Sequence, residues 1–251
     1  MKTVLITGCS SGYGLETARR FRAEGWTVLA TMRTPRSDLD LGDGPADRLR
    51  VLALDVTKPA SIEACLAEAG PIDVLVNNAG VGLLSAFEAT PMATVRDVFE
   101  TNTFGVMALT QAVLPSFRAR GSGVVVNVTS SATLAPMPLV AVYTASKTAI
   151  EGFTGSLAFE LAAFGIRVKL VEPGYCPSTR FAENGGPRMA GLIPEAYAPF
   201  AEQTFAGYGQ VSTVTREVDV ADAVWRAAQD TSEQLRFPAG ADAVALAAGT
   251  V

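Results

Sequence analysis

The fold of this 251-residue chain is decided near its start by TVLITGCSSGYG, residues 3–14. The first five residues, Thr3–Thr7, are apolar and β-branched, which predicts a buried strand. Glycines then follow in the spacing G-x-x-x-G-x-G, at Gly8, Gly12 and Gly14, where a helical pattern begins. Backbone N–H groups at a helix N-terminus bind phosphate, and a Cβ would obstruct both the turn and the approach. This stretch therefore predicts a site for a dinucleotide pyrophosphate, with a tightly packed structural turn as the alternative.

Strand and helix patterns alternate after this unit. Further strands are predicted at Thr27–Thr31, Arg50–Leu54, Ile72–Val76, Gly123–Val128 and Ile166–Val171. Helices are predicted at Gly14–Glu24, Pro59–Ala69, Met92–Arg118 and Val142–Phe164. Several strands are apolar throughout, as strands covered on both faces are. The alternation predicts an α/β fold of three layers, a doubly wound, Rossmann-like parallel sheet in a single domain over residues 1–251.

Residues 173–214 interrupt the alternation. They contain five prolines and many large apolar side chains, among them Phe200 and Phe205. Long irregular segments in compact domains are usually functional or disordered, and this one is too apolar for disorder. We therefore predict a helical lid that covers the substrate at about residues 175–215. An ordinary helical insertion is the alternative.

The composition excludes several kinds of site and partner. The chain has no histidine, which excludes a Ser-His-Asp triad, a His-ligated zinc and an imidazole base. Its net charge of -5 offers little to a nucleic-acid backbone. No apolar run approaches the roughly 20 residues of a membrane span. The three cysteines form no CxxC pair and are typical of reduced thiols. We expect a cytoplasmic protein without a metal site that binds neither membranes nor nucleic acid.

The end of the second predicted strand bears on the choice of coenzyme. In dinucleotide-binding folds an acidic residue there holds the 2′-hydroxyl of NAD. Here Ala30-Thr31-Met32-Arg33 contains no carboxylate. The permanently charged guanidinium of Arg33 suits a 2′-phosphate. Arg33 therefore favours NADP(H), while NAD(H) stays possible and a solvated loop arginine is the alternative.

Two later strand ends add candidate contacts to the same coenzyme. Asp55 follows the third strand, and its carboxylate could accept a hydrogen bond from an adenine amino group. The stretch Asn77–Gly80 follows the fourth strand, where small residues let a ribose lie close and an asparagine can tie neighbouring backbones together. Turn chemistry alone could also account for either stretch.

The chain offers one acid–base pair at helical spacing. Tyr143 and Lys147 are four residues apart, which places the phenol and the ammonium on one face of a helix. A phenol of pKa near ~10 is a poor base at neutral pH, and a neighbouring cation lowers that pKa. We therefore predict that this pair transfers protons. A surface lysine beside a half-buried tyrosine is the alternative.

Taken together and in order, these residues resemble the short-chain dehydrogenase/reductase family. The shared features are TGxxxGxG at Thr7–Gly14, Asp55, NNAG at Asn77–Gly80, Asn102, Ser130 thirteen residues before Tyr143, YxxxK at Tyr143–Lys147 and PG at Pro173–Gly174. The resemblance covers about residues 3–175.

The resemblance implies a role for each matching residue. Tyr143 would protonate the oxygen in carbonyl reduction, Ser130 would polarise that oxygen, and Lys147 would lower the Tyr143 pKa and hold the nicotinamide ribose. Ser131 is the rival of Ser130, and Asn102 would hold a water that links Lys147 to solvent. The expected coenzyme contacts are Gly8, Ser10, Ser11, Gly12, Tyr13, Gly14, Arg33, Asp55, Val56, Asn78, Ala79, Gly80, Tyr143, Lys147, Pro173, Gly174, Cys176 and Ser178.

The sequence departs from the family pattern at two positions. Tyr13 stands where the family usually has a smaller aliphatic residue, and we expect it to leave the backbone contacts to phosphate undisturbed. Ser178 stands five residues after Pro173, where the family often has a threonine, and Thr179 follows it. Which of these two hydroxyls reaches the coenzyme stays open.

We therefore predict an NADP(H)-dependent oxidoreductase that interconverts a largely hydrophobic ketone or aldehyde and its alcohol. Its substrate pocket is expected between Ala135–Val140 and the lid, with Arg180 and Arg188 as the basic residues nearby. The alternatives are an NAD-dependent alcohol dehydrogenase, an epimerase or dehydratase, and a catalytically silent cofactor-sensing protein. The apolar helix Val142–Phe164 and the family resemblance imply a homodimer or homotetramer, and simple burial of this helix against the sheet is the alternative.

Overall fold

The structure is a computed structural model that describes residues 1–36, 38–179, 186, 188–210 and 213–249. Within these residues seven strands form one sheet: β1 Thr3–Thr7, β2 Thr27–Met32, β3 Leu49–Ala53, β4 Val74–Asn77, β5 Gly123–Val128, β6 Ile166–Pro173 and β7 Arg236–Ala239. The strand order is β3-β2-β1-β4-β5-β6-β7, and every neighbouring pair is parallel. The predicted doubly wound parallel sheet is therefore confirmed.

Helices cover both faces of this sheet. They are α1 Gly12–Ala23, α2 Pro59–Ala69, α3 Met92–Phe99, α4 Gly105–Arg120, α5 Ala141–Ala162, α6 Ala198–Gly209, α7 Glu217–Gln229 and α8 Ala241–Ala247. Successive strand residues point to opposite faces, so Val4 and Ile6 pack with α1 and α7 while Leu5 packs with α2, α4 and α5. Burial on both faces explains why these strands are apolar throughout. None of the described helices combines the length and apolarity needed to cross a bilayer.

The strand that the sequence did not predict is β7. It consists of only Arg236-Phe237-Pro238-Ala239 and lies at the edge of the sheet, beside β6. Proline lacks the N–H that a ladder needs and is tolerated at a sheet edge. A four-residue strand that contains proline carries little periodic signal. The helices α7 and α8 beside it were also not predicted.

The predicted helix Met92–Arg118 is interrupted in the structure. A π-helical turn, Glu100–Phe104, separates α3 from α4. Gly105 follows this turn, and a Cβ there would lie 2.8 Å from Cγ2 of Val56. Residue periodicity does not reveal a π-turn, because one extra residue shifts the pattern without ending it. The turn carries Asn102, which the sequence analysis had placed within an ordinary helix.

The segment predicted to form a lid is described in part. Residues 180–185, 187 and 211–212, including Arg180, lie outside the described residues. The remainder contains a 3₁₀ turn at Glu195–Tyr197 and then α6. The amide of Ala86 donates to the carbonyl of Leu192 at 2.9 Å, and the Tyr208 hydroxyl donates to the carbonyl of Pro138 at 2.8 Å. The segment therefore contacts the loops that precede α3 and α5.

The layer formed by α1 and α7 is anchored by three aromatic rings. Phe21 is fully buried, and its ring meets those of Trp26 and Trp225 edge-on, with centroids 5.1 and 5.0 Å apart. Phe21→Ala would remove this contact and leave a cavity, and we expect unfolding to become easier by about 3–5 kcal/mol. Urea denaturation measures the change, and Phe87→Ala, at a ring that is 62% exposed, is the control. Equal stabilities for the two variants would contradict this account of the core.

Candidate active site

A large cleft opens where the strand order reverses, between the carboxyl ends of β1 and β4. Ligands of open α/β sheets bind at this switch point. The cleft has a volume of about 950 Å³. The predicted site residues that line it are Gly8, Ser10, Ser11, Gly12, Tyr13, Arg33, Asp55, Val56, Asn78, Ala79, Gly80, Tyr143 and Lys147. The glycine-rich turn and the Tyr143–Lys147 pair therefore line the same cleft.

The glycine-rich turn forms a cradle that side chains would fill. A Cβ on Gly8 would lie 2.9 Å from the Cα of Ala79, and one on Gly14 would lie 2.3 Å from the Gly8 carbonyl oxygen. Gly8 and Gly12 also have positive φ angles, 76° and 56°. Helix α1 begins at Gly12, and the Ser11 side chain does not cap it. The first amides of α1 are thus available to an anion, so the turn fits a pyrophosphate.

The end of β4 is tied to the end of β1 by side chains. The Nδ2 of Asn78 donates to the carbonyl of Thr7 at 2.8 Å. The hydroxyl of Thr7 accepts from the amides of Asn78 and Ala79 at 3.0 and 2.9 Å. This confirms that an asparagine of NNAG connects neighbouring backbones. These hydrogen bonds hold the two walls of the cleft at a fixed separation.

The part of the cleft at the ends of β2 and β3 contains opposite charges. Asp55 accepts from the amide and the hydroxyl of Thr57 at 3.0 and 2.7 Å. Burial alone raises the pKa of Asp55, but these hydrogen bonds and the charges of Arg33 and Lys58 bring it below its ordinary value. Asp55 therefore stays ionised as an acceptor. Arg33 and Lys58 both line the cleft, and so supply two cations beside it.

At the other end of the cleft, Tyr143 is held by a serine. The side chains of Ser130 and Tyr143 are hydrogen-bonded, which selects Ser130 over Ser131 as the hydroxyl beside the phenol. Ser130 also caps the short 3₁₀ turn Ser131–Thr133, where its Oγ accepts from the amide of Ala132 at 3.2 Å. Burial raises the pKa of Tyr143, and the hydrogen bond with Ser130 opposes that rise. The phenol is therefore in its acid form at neutral pH.

Lys147 lies behind the NNAG turn. Its Nζ donates to the carbonyl of Val128 at 3.0 Å, and a Cβ on Gly80 would lie 3.3 Å from it. Burial lowers the pKa of Lys147 to about 8, against the opposing charge of Glu151. The predicted low pKa of Tyr143 is wrong, because burial raises that pKa and outweighs the hydrogen bond with Ser130, which lowers it.

Asn102 connects the cleft wall to helix α5. Its Oδ1 accepts from the amide of Val81 at 2.8 Å, and its Nδ2 donates to the Val81 carbonyl and to the Ser146 hydroxyl. Ser146 in turn donates to the carbonyl of Tyr143 at 2.7 Å. The buried Asn102 side chain thus uses both of its N–H groups and one lone pair of Oδ1 on protein groups. The predicted water relay stays a prediction.

The remaining predicted contacts do not line the cleft itself: Gly14 lies in α1, Pro173 ends β6, and the turn after β6 carries Gly174, Cys176 and Ser178. Ser178 donates to Oε1 of Glu217 at 2.9 Å. Thr179 lines the cleft beside Gly12. Of the two hydroxyl residues left open by the sequence, the geometry therefore brings Thr179 to the cleft.

Tyr13 contacts more of the protein than its place in the glycine-rich turn predicts. The Tyr13 hydroxyl donates to the carbonyl oxygen of Gly174 at 3.4 Å. The same hydroxyl is hydrogen-bonded with the Cys176 side chain. Burial raises the pKa of Tyr13, and the neighbouring Cys176 and Tyr143 add to the rise. This side chain therefore connects the start of α1 to the turn after β6.

Several cleft residues were not identified from the sequence. They are Thr7, Met32, Leu54, Thr57, Lys58, Val81, Asp97, Glu100, Thr101, Val128 and Thr129. Those at strand ends, such as Val128 and Thr129, could have been found from the rule that ligands bind there. Asp97 and Glu100 lie at the end of α3, and only the packing of that helix brings them to the cleft.

Comparison with known proteins agrees with this geometry. Residues 2–188 match the family profile described as short chain dehydrogenase. Retinol dehydrogenase 8 of Bos taurus is 44% identical over 182 residues, which are 69% of this chain and 58% of the bovine protein. Retinol dehydrogenase 8 of Homo sapiens is 37% identical over 254 residues, covering 94% and 80% of the two chains. Estradiol 17-beta-dehydrogenase 1 of Rattus norvegicus is 41% identical over 198 residues, covering 73% and 57%.

Solved structures show the same fold. A short-chain dehydrogenase from Streptomyces avermitilis superposes with a TM-score of 0.84 at 36% identity, covering 99% of this chain and 92% of that one. The closed form of serine dehydrogenase complexed with NADP+ has a TM-score of 0.75 at 29% identity, covering 94% of both chains. A 3-ketoacyl-(acyl-carrier-protein) reductase from Brucella melitensis complexed with NADH has a TM-score of 0.76 at 25% identity, covering 100% and 98%. The chain belongs to the short-chain dehydrogenase/reductase family of NAD(P)-dependent oxidoreductases.

Proposed function

We propose that the protein is an NADP(H)-dependent oxidoreductase that interconverts a largely hydrophobic ketone or aldehyde and its alcohol. The observation that carries this proposal is the meeting of Tyr143 and Lys147 with the glycine-rich turn in one cleft. A phosphate-binding turn alone would support only nucleotide binding. The buried phenol of Tyr143 lines the same cleft and is hydrogen-bonded with the Ser130 hydroxyl. The phenol adds a proton donor, and the serine adds a group that can bind the substrate oxygen.

The residues of this chain would divide the reaction between them. A bound nicotinamide coenzyme would exchange the hydride with the substrate carbon. In reduction, the hydroxyl of Ser130 donates to the carbonyl oxygen and Tyr143 gives its proton to that oxygen as negative charge develops. In oxidation, the Tyr143 oxygen takes the proton back. The ammonium of Lys147 favours the phenolate that Tyr143 becomes after it has given up its proton.

The coenzyme would lie along the cleft with each part on a different wall. The amides at the start of α1 would bind the pyrophosphate, and Asp55 would accept from the adenine amino group. The turn Asn78–Gly80 would pack against a ribose, and the turn after β6, tied to Tyr13, would hold the nicotinamide end. Thr179 is the residue of that turn that we assign to the cleft in place of Ser178, and its hydroxyl donates to the carbonyl of Cys176 at 2.9 Å.

The preference for NADP(H) rests on Arg33 and Lys58, which line the cleft near Asp55. In Arg33→Ala, the KM for NADPH is expected to rise about 10- to 100-fold, since a charge-assisted contact to a 2′-phosphate is worth about 1.5–3 kcal/mol. The KM for NADH is expected to change little, because NADH lacks that phosphate. Initial rates with both coenzymes measure the effect, with Arg36→Ala on the exposed loop as the control. An equal loss for both coenzymes would rule out the proposed contact.

The proposed substrate pocket lies between residues 135–140 and the lid. Tyr208 in α6 donates to the Pro138 carbonyl, and its ring lies 6.2 Å from that of Tyr175. Leu192 packs with Leu83 and Val142 in a buried apolar cluster. Apolar walls of this kind favour a hydrophobic substrate. The names of the relatives point the same way, since retinol and estradiol are largely apolar alcohols.

The proposal is tested by following the oxidation of NADPH at 340 nm with a panel of carbonyl compounds. Retinaldehyde, a 17-ketosteroid, a long aliphatic aldehyde and a small polar ketone separate apolar from polar preference. We expect turnover with at least one of the apolar compounds and a lower kcat/KM with the polar one. NADPH binding without turnover of any compound, in either direction, would favour a cofactor-sensing protein. Turnover with NADH alone would favour the NAD-dependent alternative.

The assembly state is also a proposal. Helix α5 leaves the Phe159 ring 87% exposed, and Phe164 beyond its end is 45% exposed. Exposed rings on a helix that also carries the proposed catalytic residues are consistent with pairing of two copies through this helix. We therefore propose a homodimer or homotetramer in solution.

A further inference from the structure

A buried polar cluster lies directly behind the loop that carries Ser130. Glu151 on α5 is 7% exposed, and its Oε1 accepts from the hydroxyls of Thr129 and Thr133 at 2.9 and 2.6 Å. These two threonines stand on either side of Ser130 in the chain. The Thr133 hydroxyl also lies 2.6 Å from the carbonyl oxygen of Ser130 itself. One carboxylate oxygen therefore holds both sides of the loop.

The other oxygen of Glu151 is held by an arginine on the edge strand of the sheet. It accepts from Nη1 of Arg236 on β7, and the same nitrogen donates to Glu172 on β6. Glu172 is fully buried, and burial, with the like charge of Glu151, raises its pKa to about 7 although Arg236 opposes the rise. The cluster thus joins α5, β6, β7 and the loop after β5. A group with so many fixed partners has little freedom to move.

Helix spacing connects this cluster to the proposed catalytic pair. Tyr143, Lys147 and Glu151 follow one another at intervals of four residues on α5 and so share one face. Glu151 attaches the Ser130 loop to the same rigid helix that carries the phenol. Without Glu151, the placement of Ser130 against Tyr143 would depend on the loop's own hydrogen bonds and on those from Thr129 to the Val171 carbonyl. Catalysis is sensitive to such placement, and misplacement by about 1 Å can cost roughly 100-fold in rate.

We propose that Glu151 is a positioning residue, which fixes the Ser130 loop against Tyr143 through Thr129 and Thr133 and holds the charge of Lys147. This inference rests on the proposed function of the same cleft. It assigns to Glu151 two separable effects, one geometric and one electrostatic. The geometric effect runs through the Thr133 hydroxyl, and the electrostatic effect runs through the carboxylate charge.

The electrostatic part depends on the groups that face each partner. Glu151 faces Lys147 along α5, Glu172 from β6 and Arg236 from β7. Lys147 faces Glu151 and Tyr143 on its own helix and the carbonyl of Val128 at the end of β5. Glu151 raises the pKa of Lys147 against burial. Removing its charge therefore makes the Lys147 ammonium easier to deprotonate.

Two pairs of variants separate these effects. Thr133→Val removes the hydroxyl at constant shape, and Thr133→Ser restores it. Glu151→Gln keeps an acceptor oxygen but removes the charge, and Glu160→Gln makes the same change at an exposed position of α5. For each protein, kcat and KM for the best carbonyl substrate are measured against pH. NADPH affinity by fluorescence and the urea midpoint are measured alongside.

We expect Thr133→Val to lower kcat about 10-fold or more, with KM and NADPH affinity within about threefold, and Thr133→Ser to restore most of the loss. In Glu151→Gln the alkaline limb of the kcat/KM profile is expected to move to lower pH. That limb should stay in place in Glu160→Gln and Thr133→Val. If Thr133 and Glu151 contributed only to stability, their variants would shift the urea midpoint. The kcat loss confined to Thr133→Val and the pH shift confined to Glu151→Gln would then not appear.

Two outcomes overturn the inference. The first is full kcat in Thr133→Val together with an unmoved pH profile in Glu151→Gln, while the wild type and Glu160→Gln turn over. The second is absence of turnover in the wild type with every carbonyl compound and alcohol, which removes the proposed function and the inference with it. If Glu151→Gln does not fold, the Thr133 pair still tests the geometric effect, and unchanged kcat there overturns it.

Discussion

Replacing Tyr143 by Phe is expected to lower kcat of carbonyl reduction by about 10²- to 10⁴-fold, the usual contribution of a positioned proton donor. The substitution removes one oxygen and leaves the ring that lines the cleft. Most of the residues proposed to bind the coenzyme, among them the glycine-rich turn, Arg33 and Asn78, are unchanged in this variant. NADPH affinity is therefore expected to stay within about threefold of the wild type, well below the tenfold that 1.4 kcal/mol represents. Stopped-flow reduction and fluorescence titration with NADPH measure the two quantities.

The same experiment carries its own control. Unchanged NADPH affinity and an unchanged urea midpoint would show that the variant is folded and that its cleft is intact. Turnover retained in such a variant would remove Tyr143 from the mechanism and leave a nucleotide-binding protein whose chemistry lies elsewhere. Loss of both NADPH binding and turnover would instead indicate that the ring supports the cleft wall.

Replacing Lys147 by Met is expected to lower kcat/KM by about 10²- to 10³-fold, comparable with the loss of one preorganised electrostatic donor. The chain length is nearly conserved, so the cleft keeps its shape while the ammonium disappears. The phenolate that forms when Tyr143 releases its proton then has no cation beside it. Steady-state rates over pH 6–9 measure the effect. The wild type is expected to lose activity as the pH rises through about 8, where burial places the Lys147 pKa.

Lys147→Met should not lower the free energy of unfolding, and the pH dependence of that free energy checks this. The folded-state pKa of Lys147, about 8, lies below its ordinary value of 10.5, so the unfolded chain binds more protons between these values. This group therefore makes the protein more stable as the pH rises from about 8 to 10.5. In Lys147→Met that rise is expected to flatten. At pH 7, relief of the buried charge, on the order of 3 kcal/mol, offsets the roughly 1–3 kcal/mol lost at the Val128 carbonyl.

A second buried lysine provides the matched control. Lys169 on β6 is 2% exposed, and its Nζ donates to Asp230 Oδ1 at 2.7 Å and to two backbone carbonyls. It does not line the cleft. Lys169→Met should therefore destabilise the fold and leave kcat/KM near the wild-type value. The opposite division, with lost activity in Lys169→Met and normal activity in Lys147→Met, would contradict the assignment of roles.

Much of the fold and the coenzyme cradle could be predicted from local patterns. A parallel strand covered on both faces is apolar throughout, so β1 and β5 were located to the residue. The glycines of the first turn are required by the backbone itself, since Gly8 needs a positive φ and Gly14 has no room for a Cβ. Such constraints act within a few residues of chain and are therefore visible in the sequence.

The predictions that were incomplete or wrong depend on neighbours that are distant in sequence. The pKa of Tyr143 is set by burial, which is a property of the assembled cleft, and helical spacing to Lys147 could not supply its sign. Ser178 and Thr179 are adjacent in the chain, and only the position of Glu217 on α7 draws the Ser178 hydroxyl away from the cleft. The π-turn that holds Asn102 is likewise invisible to periodicity.

From its sequence alone this chain could be identified as a parallel α/β sheet with a nucleotide-binding turn and a tyrosine–lysine pair, because glycine geometry, strand burial and helix spacing are local. Folding then determined which groups face one another and how strongly burial acts on them, because those depend on packing between elements far apart in the chain. Glu151 shows this best, since it lies 85 residues from Arg236 and 18 from Thr133, and only the folded protein brings the three together.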